Sequence, residues 1–211
     1  LASPNLSNET LFLLGKLARK TGGGGAFRVP QGGPEAPLPG VPDLALRSDR
    51  AANGRGAELM GFTRSDSPLD GLGAGDVLIV ADEELAQLDA AGVAKAGAVI
   101  VIGTTLPAWA RHAANVVLPI ANCTEEEGTF TNLRGRVQRF LQAKAAPGAA
   151  RPSYFVLGDL LAAAGEGSGY WTAGQTFDAL AAEVPAFAGL NYDGLGLRGA
   201  MIQGALTGAT A

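Results

Sequence analysis

A chain of 211 residues, 47% hydrophobic and 17% charged, is large enough to bury a real core and reads as one or two globular domains. Its net charge of −4 and pI near 5.0 argue against a nucleic-acid partner, whose phosphates reward a basic face. Unbroken apolar runs such as Ala98 to Ile102 are strand-sized and too short to span a bilayer. The single cysteine, Cys123, excludes an internal disulfide, a four-thiolate iron–sulfur site and a cysteine-built zinc site.

Leu1 to Ser3 read as the end of a strand, and a piece of a longer polypeptide is expected. Ser7 suits an N-cap, and Leu11, Leu14, Leu17 and Ala18 recur at helical spacing. Basic residues then approach the end of this helix and Gly22 stops it. From Gly22 to Pro42, glycine and proline clusters predict a linker that continues neither a helix nor a central strand. Ala51 to Met60 predicts a short helix closed by Gly61, and Ser65 to Gly75 a loop.

The pattern then becomes regular. Val77 to Val80, Val99 to Ile102 and Val116 to Leu118 are apolar strands, separated by helices predicted over Asp82 to Ala94 and Thr105 to Ala113. All-apolar strands alternating with helices indicate a parallel sheet covered on both faces, an α/β fold. Cys123 to Arg139 is polar and punctuated by glycine. Ser153 to Ala164 and Thr172 to Val184 predict two further helices, and a patternless tail follows Pro185.

Few residues suggest chemistry. Gly71-Leu72-Gly73-Ala74-Gly75 imitates a dinucleotide loop, but it precedes its strand, whereas the fingerprint follows one. The turn after that strand, Asp82 to Glu84, is acidic and repels phosphate. Gly103-Thr104-Thr105 does follow a strand, and reads as a helix cap before an anion site. His112, the only histidine, has no Ser, Asp or Cys at an informative spacing. Glu125, Glu126 and Glu127 are adjacent, so their side chains diverge and read as a solvated acidic turn. Arg134, Arg136 and Arg139 form the one basic cluster, suited to a phosphate or carboxylate or to ion pairs with a neighbouring domain. Gly128 and Gly135 are expected where a side chain cannot fit.

Several stretches together are similar to the molybdopterin oxidoreductase family. They are Asn115-Val-Val-Leu-Pro119, Glu127-Gly-Thr-Phe-Thr-Asn132, Gly135-Arg-Val-Gln138 and Pro147-Gly-Ala-Ala-Arg151. Upstream, Ser3-Pro-Asn-Leu-Ser-Asn-Glu9 with Lys16-Leu-Ala-Arg19, and Asn53-Gly-Arg-Gly-Ala57 with Met60-Gly61, follow in the family's order. Arg134 stands where the family usually has an acid. Within the family, Val184 to Tyr192 and Gly194 to Gly196 resemble the branch that contains the large iron–sulfur subunit of NADH–quinone oxidoreductase, respiratory complex I; formate dehydrogenase alpha subunits and assimilatory nitrate reductases are the near alternatives.

The resemblance implies a Rossmann-like half of a molybdopterin-oxidoreductase domain. Residues 1–75 would end a first α/β unit and add a linker, 76–165 would form a compact second unit, and 166–211 a terminal helix and tail. It further implies a structural role in NADH-to-quinone electron transfer, with no catalytic residue and no metal in this chain. Iron–sulfur clusters would lie upstream, and molybdopterin belongs to the alternative. Asn132, Arg134 and Arg136 are its candidate cofactor-binding residues. Partners would be other subunits of a respiratory complex, held peripherally on the cytoplasmic side of the inner membrane.

Overall fold

The computed structural model describes residues 1–29, 32–83, 90–167 and 169–204. Helix α1 (Asn8–Lys20) runs through the centre of the fold. Ser7 is its N-cap, accepting a hydrogen bond from the Thr10 amide at 3.2 Å, and Gly22 lies just past its end at φ +75. Leu11, Phe12, Leu13 and Leu14 are all at most 4% exposed, so the first half of this helix is buried all round rather than along one stripe. Helices α5 (Ser153–Ala163) and α6 (Ala173–Glu183) pack on it, and the main parallel sheet lies on its other side.

That sheet is assembled from strands distant in sequence. Strand β4 (Phe62–Arg64) pairs in parallel with β1 (Gly25–Phe27), and β5 (Val77–Ala81), β6 (Ala98–Gly103) and β7 (Val116–Pro119) form a parallel set. Leu1 to Ser3 joins the two halves: Ala2 bridges Phe27 on one side and Ala81 on the other, both in parallel. Its backbone is held from both sides, by Ala2 N to Ala26 O at 2.9 Å and Ser3 N to Ala81 O at 2.8 Å. The spatial order is β4, β1, the Leu1–Ser3 segment, β5, β6, β7, a doubly wound arrangement whose order reverses at Leu1–Ser3.

Side chains on the central strands alternate between two cores. Ala81 and Ile102 are buried on the α1 side with Ile79 and Ile100 packed beside them, whereas Leu78, Val80, Val99 and Val101 join Leu69, Val93 and Ala110 on the other face. Both faces are covered, so all-apolar strands follow directly from the pleat.

A second sheet is antiparallel, with order β8 (Gly128–Thr131), β9 (Arg136–Phe140) and β10 (Ala200–Met201), the last pairing with β9. Strands β2 (Ala36–Leu38) and β3 (Val41–Leu46) make a separate exposed hairpin. Helices α2 (Gly54–Leu59), α3 (Ala90–Val93) and α4 (Ala110–Ala113) are short. Among the described residues, no helix is long and apolar enough to cross a membrane.

Four expectations need correction. The Gly-rich linker contains β1, which is an interior strand of the parallel sheet. It tolerates Gly25 because the Phe62 ring lies where a Cβ would stand. The helix expected from Thr105 begins only at Ala110, because Pro107 disfavours helical backbone at the residue before it. The helix expected over Asp82 to Ala94 does not start at Asp82, whose φ is +45, and residues 84–89 of it lie outside the described residues. The polar segment Cys123 to Arg139 contains most of a β-hairpin, hidden in sequence because its buried face is made of threonines.

Candidate functional site at the carboxyl edge of the parallel sheet

In a doubly wound sheet the ligand crevice lies beyond the carboxyl ends of the strands, where the strand order reverses. Here that place is bounded by Ser3, by Arg28 after β1 and by Asp82 and Glu83 after β5. Arg28 and Glu83 flank the end of the Leu1–Ser3 segment from its two neighbouring strands and form an ion pair at 3.3 Å. Asp82 is the only non-glycine residue at positive φ among the described residues. Its Oδ1 accepts hydrogen bonds from the Thr104 amide at 2.9 Å and the Thr104 hydroxyl at 2.8 Å. Backbone held in this sparsely populated region by fixed partners is characteristic of functional positions.

The Gly103-Thr104 loop therefore serves neither expected purpose. Its amide is committed to Asp82 rather than to an external anion, and the nearest helix starts further on. The Gly71 to Gly75 run lies before β5, at the amino edge, where Leu72 lines a cavity of about 370 Å³ with Leu14, Phe62 and Val77. The carboxyl edge is the opposite side of the sheet.

The first turn of α1 is not open to a phosphate either, because a buried polar interlock covers it. Asn8, Glu9 and Thr10 are at most 1% exposed. The Thr129 amide and hydroxyl donate to the two carboxylate oxygens of Glu9 at 2.9 and 2.8 Å. Asn8 donates to the Thr129 hydroxyl at 2.9 Å and accepts from the Thr131 hydroxyl at 3.1 Å. Asn53 accepts from the Thr131 amide and donates to Leu6 O, each at 2.8 Å. The alternation of β8 thus turns both threonines inward and leaves Phe130 outward, stacked on Phe140 with ring centroids 4.7 Å apart.

A second carboxyl completes the interlock. Glu126 accepts from the Ser153 amide at 2.7 Å and from its hydroxyl at 2.8 Å, so it caps the amino end of α5, where Pro152 offers no side-chain cap. Ser153 also shares a hydrogen bond with Thr10, which shares one with Ser7 at 2.7 Å. Neither Glu9 nor Glu126 forms an ion pair among the described residues. Burial pushes both carboxyls up to about 7, against the hydrogen bonds that favour their charged forms. Glu125 and Glu126 are each 5% exposed, so the expected solvated acidic turn is in fact buried; Glu125 faces the other way and pairs with Lys144 at 3.0 Å.

The remaining sequence candidates belong to the antiparallel sheet. Asn132 builds the β8–β9 turn, its side chain accepting from the Arg134 and Arg136 amides at 3.0 and 2.9 Å. The three arginines diverge. Arg139 lies over the Tyr192 ring at 4.0 Å and pairs with Asp193 at 3.6 Å, Arg136 donates to Arg198 O at 3.2 Å, and Arg134 is exposed. Gly135 has φ +80, and a Cβ on Gly128 would stand 3.0 Å from both Glu9 Oε2 and the Phe140 ring. Among the described residues no cluster of His, Cys, Asp or Glu could hold a metal ion, and Cys123 is exposed and unpaired with another cysteine.

Residues 72–163 match the model of the molybdopterin oxidoreductase family. They span β5 to α5 and so include Asp82, Thr104 and the β8–β9 hairpin. A stretch of 88 residues is 41% identical to the F420-dependent formate dehydrogenase 2 subunit alpha of Methanococcus maripaludis, covering 41% of this chain and 13% of that protein. The formate dehydrogenase 1 subunit alpha of the same organism is 35% identical over 88 residues, with the same coverage. The matched part of the chain thus spans about an eighth of the length of these relatives.

These relatives overturn the expected assignment to the large subunit of complex I and the NADH-to-quinone electron transfer it implied. The tail that suggested it lies outside the matched segment, and its residues are packing residues. Phe187, Tyr192 and Leu195 are at most 6% exposed, and Phe187 and Tyr192 both pack their rings on Phe177. A tail shaped by the core it fills does not distinguish one branch of a family from another.

Proposed function

We propose that this chain is the dinucleotide-holding portion of a molybdenum-dependent formate dehydrogenase alpha subunit. The observation that carries the proposal is the 41% identity to a formate dehydrogenase alpha subunit over a stretch of 88 residues. The carboxyl edge supports it. Asp82 sets a carboxylate at the carboxyl edge beside the switch point, the crevice in which doubly wound sheets bind their ligands. The described residues thus suit the nucleoside end of a pterin dinucleotide. They do not suit its phosphates, since the α1 amides are covered and Arg28 is engaged by Glu83. The phosphates and the metal would be held by other parts of the polypeptide.

When bound, the molybdenum–pterin group supplies the two-electron chemistry of formate oxidation. This chain's own part is to bind and orient. Asp82 accepts a hydroxyl hydrogen, Thr104 fixes the Asp82 carboxylate, and the interlock fixes the hairpin against α1. Other subunits would carry the electrons onward.

The test is formate-dependent reduction of a viologen dye by the full-length polypeptide, with molybdenum and pterin measured on the same sample. Formate turnover by a molybdenum-loaded protein is expected. A molybdenum-loaded protein inert to formate would overturn the substrate, and a protein without molybdenum or pterin would overturn the dinucleotide.

A further inference from the structure

The parallel sheet is split at its centre toward the amino edge. The Leu1–Ser3 segment meets β1 and β5 only at their last residues, since Ala2 lies beside Phe27 and Ala81. Ahead of that point β1 and β5 run on either side of a slot. The cavity of about 370 Å³ at the amino edge is this slot, bordered by Gly24 to Ala26 on one side and by Val77 to Ile79 on the other.

The backbone on both sides is set for a strand. Ala26 O accepts from Ala2 N at 2.9 Å and Ile79 O from Leu1 N at 2.7 Å, whereas Asp82 N donates the other way, to Ile102 O of β6. The N–H and C=O of one strand residue point to the same side, so the amides of Ala26 and Ile79 also face the slot. A strand in the slot would give each of them an acceptor, as buried backbone amides require. The walls are apolar on both faces, with Leu14 and Phe62 on the α1 side and Leu72 on the other.

We infer that this slot takes residues of the same polypeptide that run into Leu1 as a parallel strand in register with Ala2. Ala2 lies opposite Ala81 and Val77 is four residues earlier, so the third residue before Leu1 stands opposite Val77, which is 60% exposed at the outer end of β5. Alternation sets the faces. Ala2 belongs to the core on α1, and Leu1 packs on the opposite core. The residue directly before Leu1 therefore points at Leu14 and Phe62, the one before it at Leu72, and both have apolar side chains. A separate chain does not fit. A strand in this register ends one Cα step, about 3.8 Å, from Leu1, which is the spacing across a peptide bond. A free chain end there would place a charge in an apolar slot. Completed in this way, the central strand is held along its length, and with it Ser3 at the border of the candidate site.

The experiment uses the full-length polypeptide. A diazirine-bearing aliphatic amino acid replaces the residue directly before Leu1, and in a second variant the residue before that one; the attached peptides are identified by tandem mass spectrometry. The first position should attach on the α1 side, at Leu14 or Phe62, and the second at Leu72, a switch of face for a one-residue step. On the unsubstituted protein, where no variant can disturb folding, the Ile79 amide should exchange with deuterium within about tenfold of the Val80 amide, which faces β6. Attachment of both positions to one face, attachment elsewhere, no attachment, or an Ile79 amide that exchanges far faster than that of Val80 would each overturn the inference.

Discussion

Glu9 makes a sharp prediction because its burial is complete and its partners are neutral. Its carboxyl is lifted from 4.5 to about 7, chiefly by desolvation. At about 1.4 kcal/mol per pKa unit, keeping it ionised costs about 3 kcal/mol of stability above pH 7. The folded-state value exceeds the unfolded one, so the stabilising contribution is fully present below pH 4.5 and is lost as the pH rises to about 7. Glu9→Gln keeps the shape and removes the charge. It leaves the Thr129 hydroxyl short of one acceptor, at about 1 kcal/mol. Urea unfolding should therefore find Glu9→Gln about 2 kcal/mol more stable than the parent at pH 8, with the gap closing or reversing by pH 5. The comparison must be between parent and variant. Glu126, lifted likewise to about 7 by burial, titrates alongside. A gap that does not change between pH 5 and pH 8 would refute the account of Glu9 as a buried carboxyl without a counter-charge.

Further outcomes follow from the same contacts. Gly128→Val should lower stability by about 2–3 kcal/mol in urea melts, since the side chain would press on Glu9 and Phe140 at once. Asn53→Ala should cost about 2–3 kcal/mol, because it strands a buried Thr131 amide and the Leu6 carbonyl together. Ser7→Ala should cost about 1 kcal/mol as a lost N-cap, and thermal melts should rank it as the mildest of the three.

What could be read from sequence was whatever short-range chemistry decides. The Ser7 cap, the leucine spacing and Gly22 delimit α1 because each acts within a few residues. The apolar strands β5, β6 and β7 announce a sheet buried on both faces. Strand β1 escaped notice because Gly25 is there to receive the Phe62 ring, a contact from 37 positions away that local propensity cannot register. The hairpin escaped because Thr129 and Thr131 look like surface residues until Glu9, Asn8 and Asn53 are placed opposite them. For the same reason the sequence shows Glu127 to Gln138 as a family-like group but not the role its threonines share as an interlock between α1 and the hairpin. Asp82 could have been flagged as an acid ending a central strand, but its switch-point position depends on Ala2 bridging two strands, which no local pattern contains.

The most direct test of the carboxyl edge is the pterin–nucleotide content of the full-length protein carrying Asp82→Gly. Glycine adopts φ +45 without strain, so the substitution deletes the carboxylate while leaving the backbone free to keep its course. Pterin is released by denaturation from parent and variant and quantified against polypeptide, beside a thermal melt of each. If the edge holds the dinucleotide through Asp82, the variant keeps the parent's melting behaviour and loses most of its pterin. Full pterin occupancy in a normally folded Asp82→Gly variant would contradict the assignment.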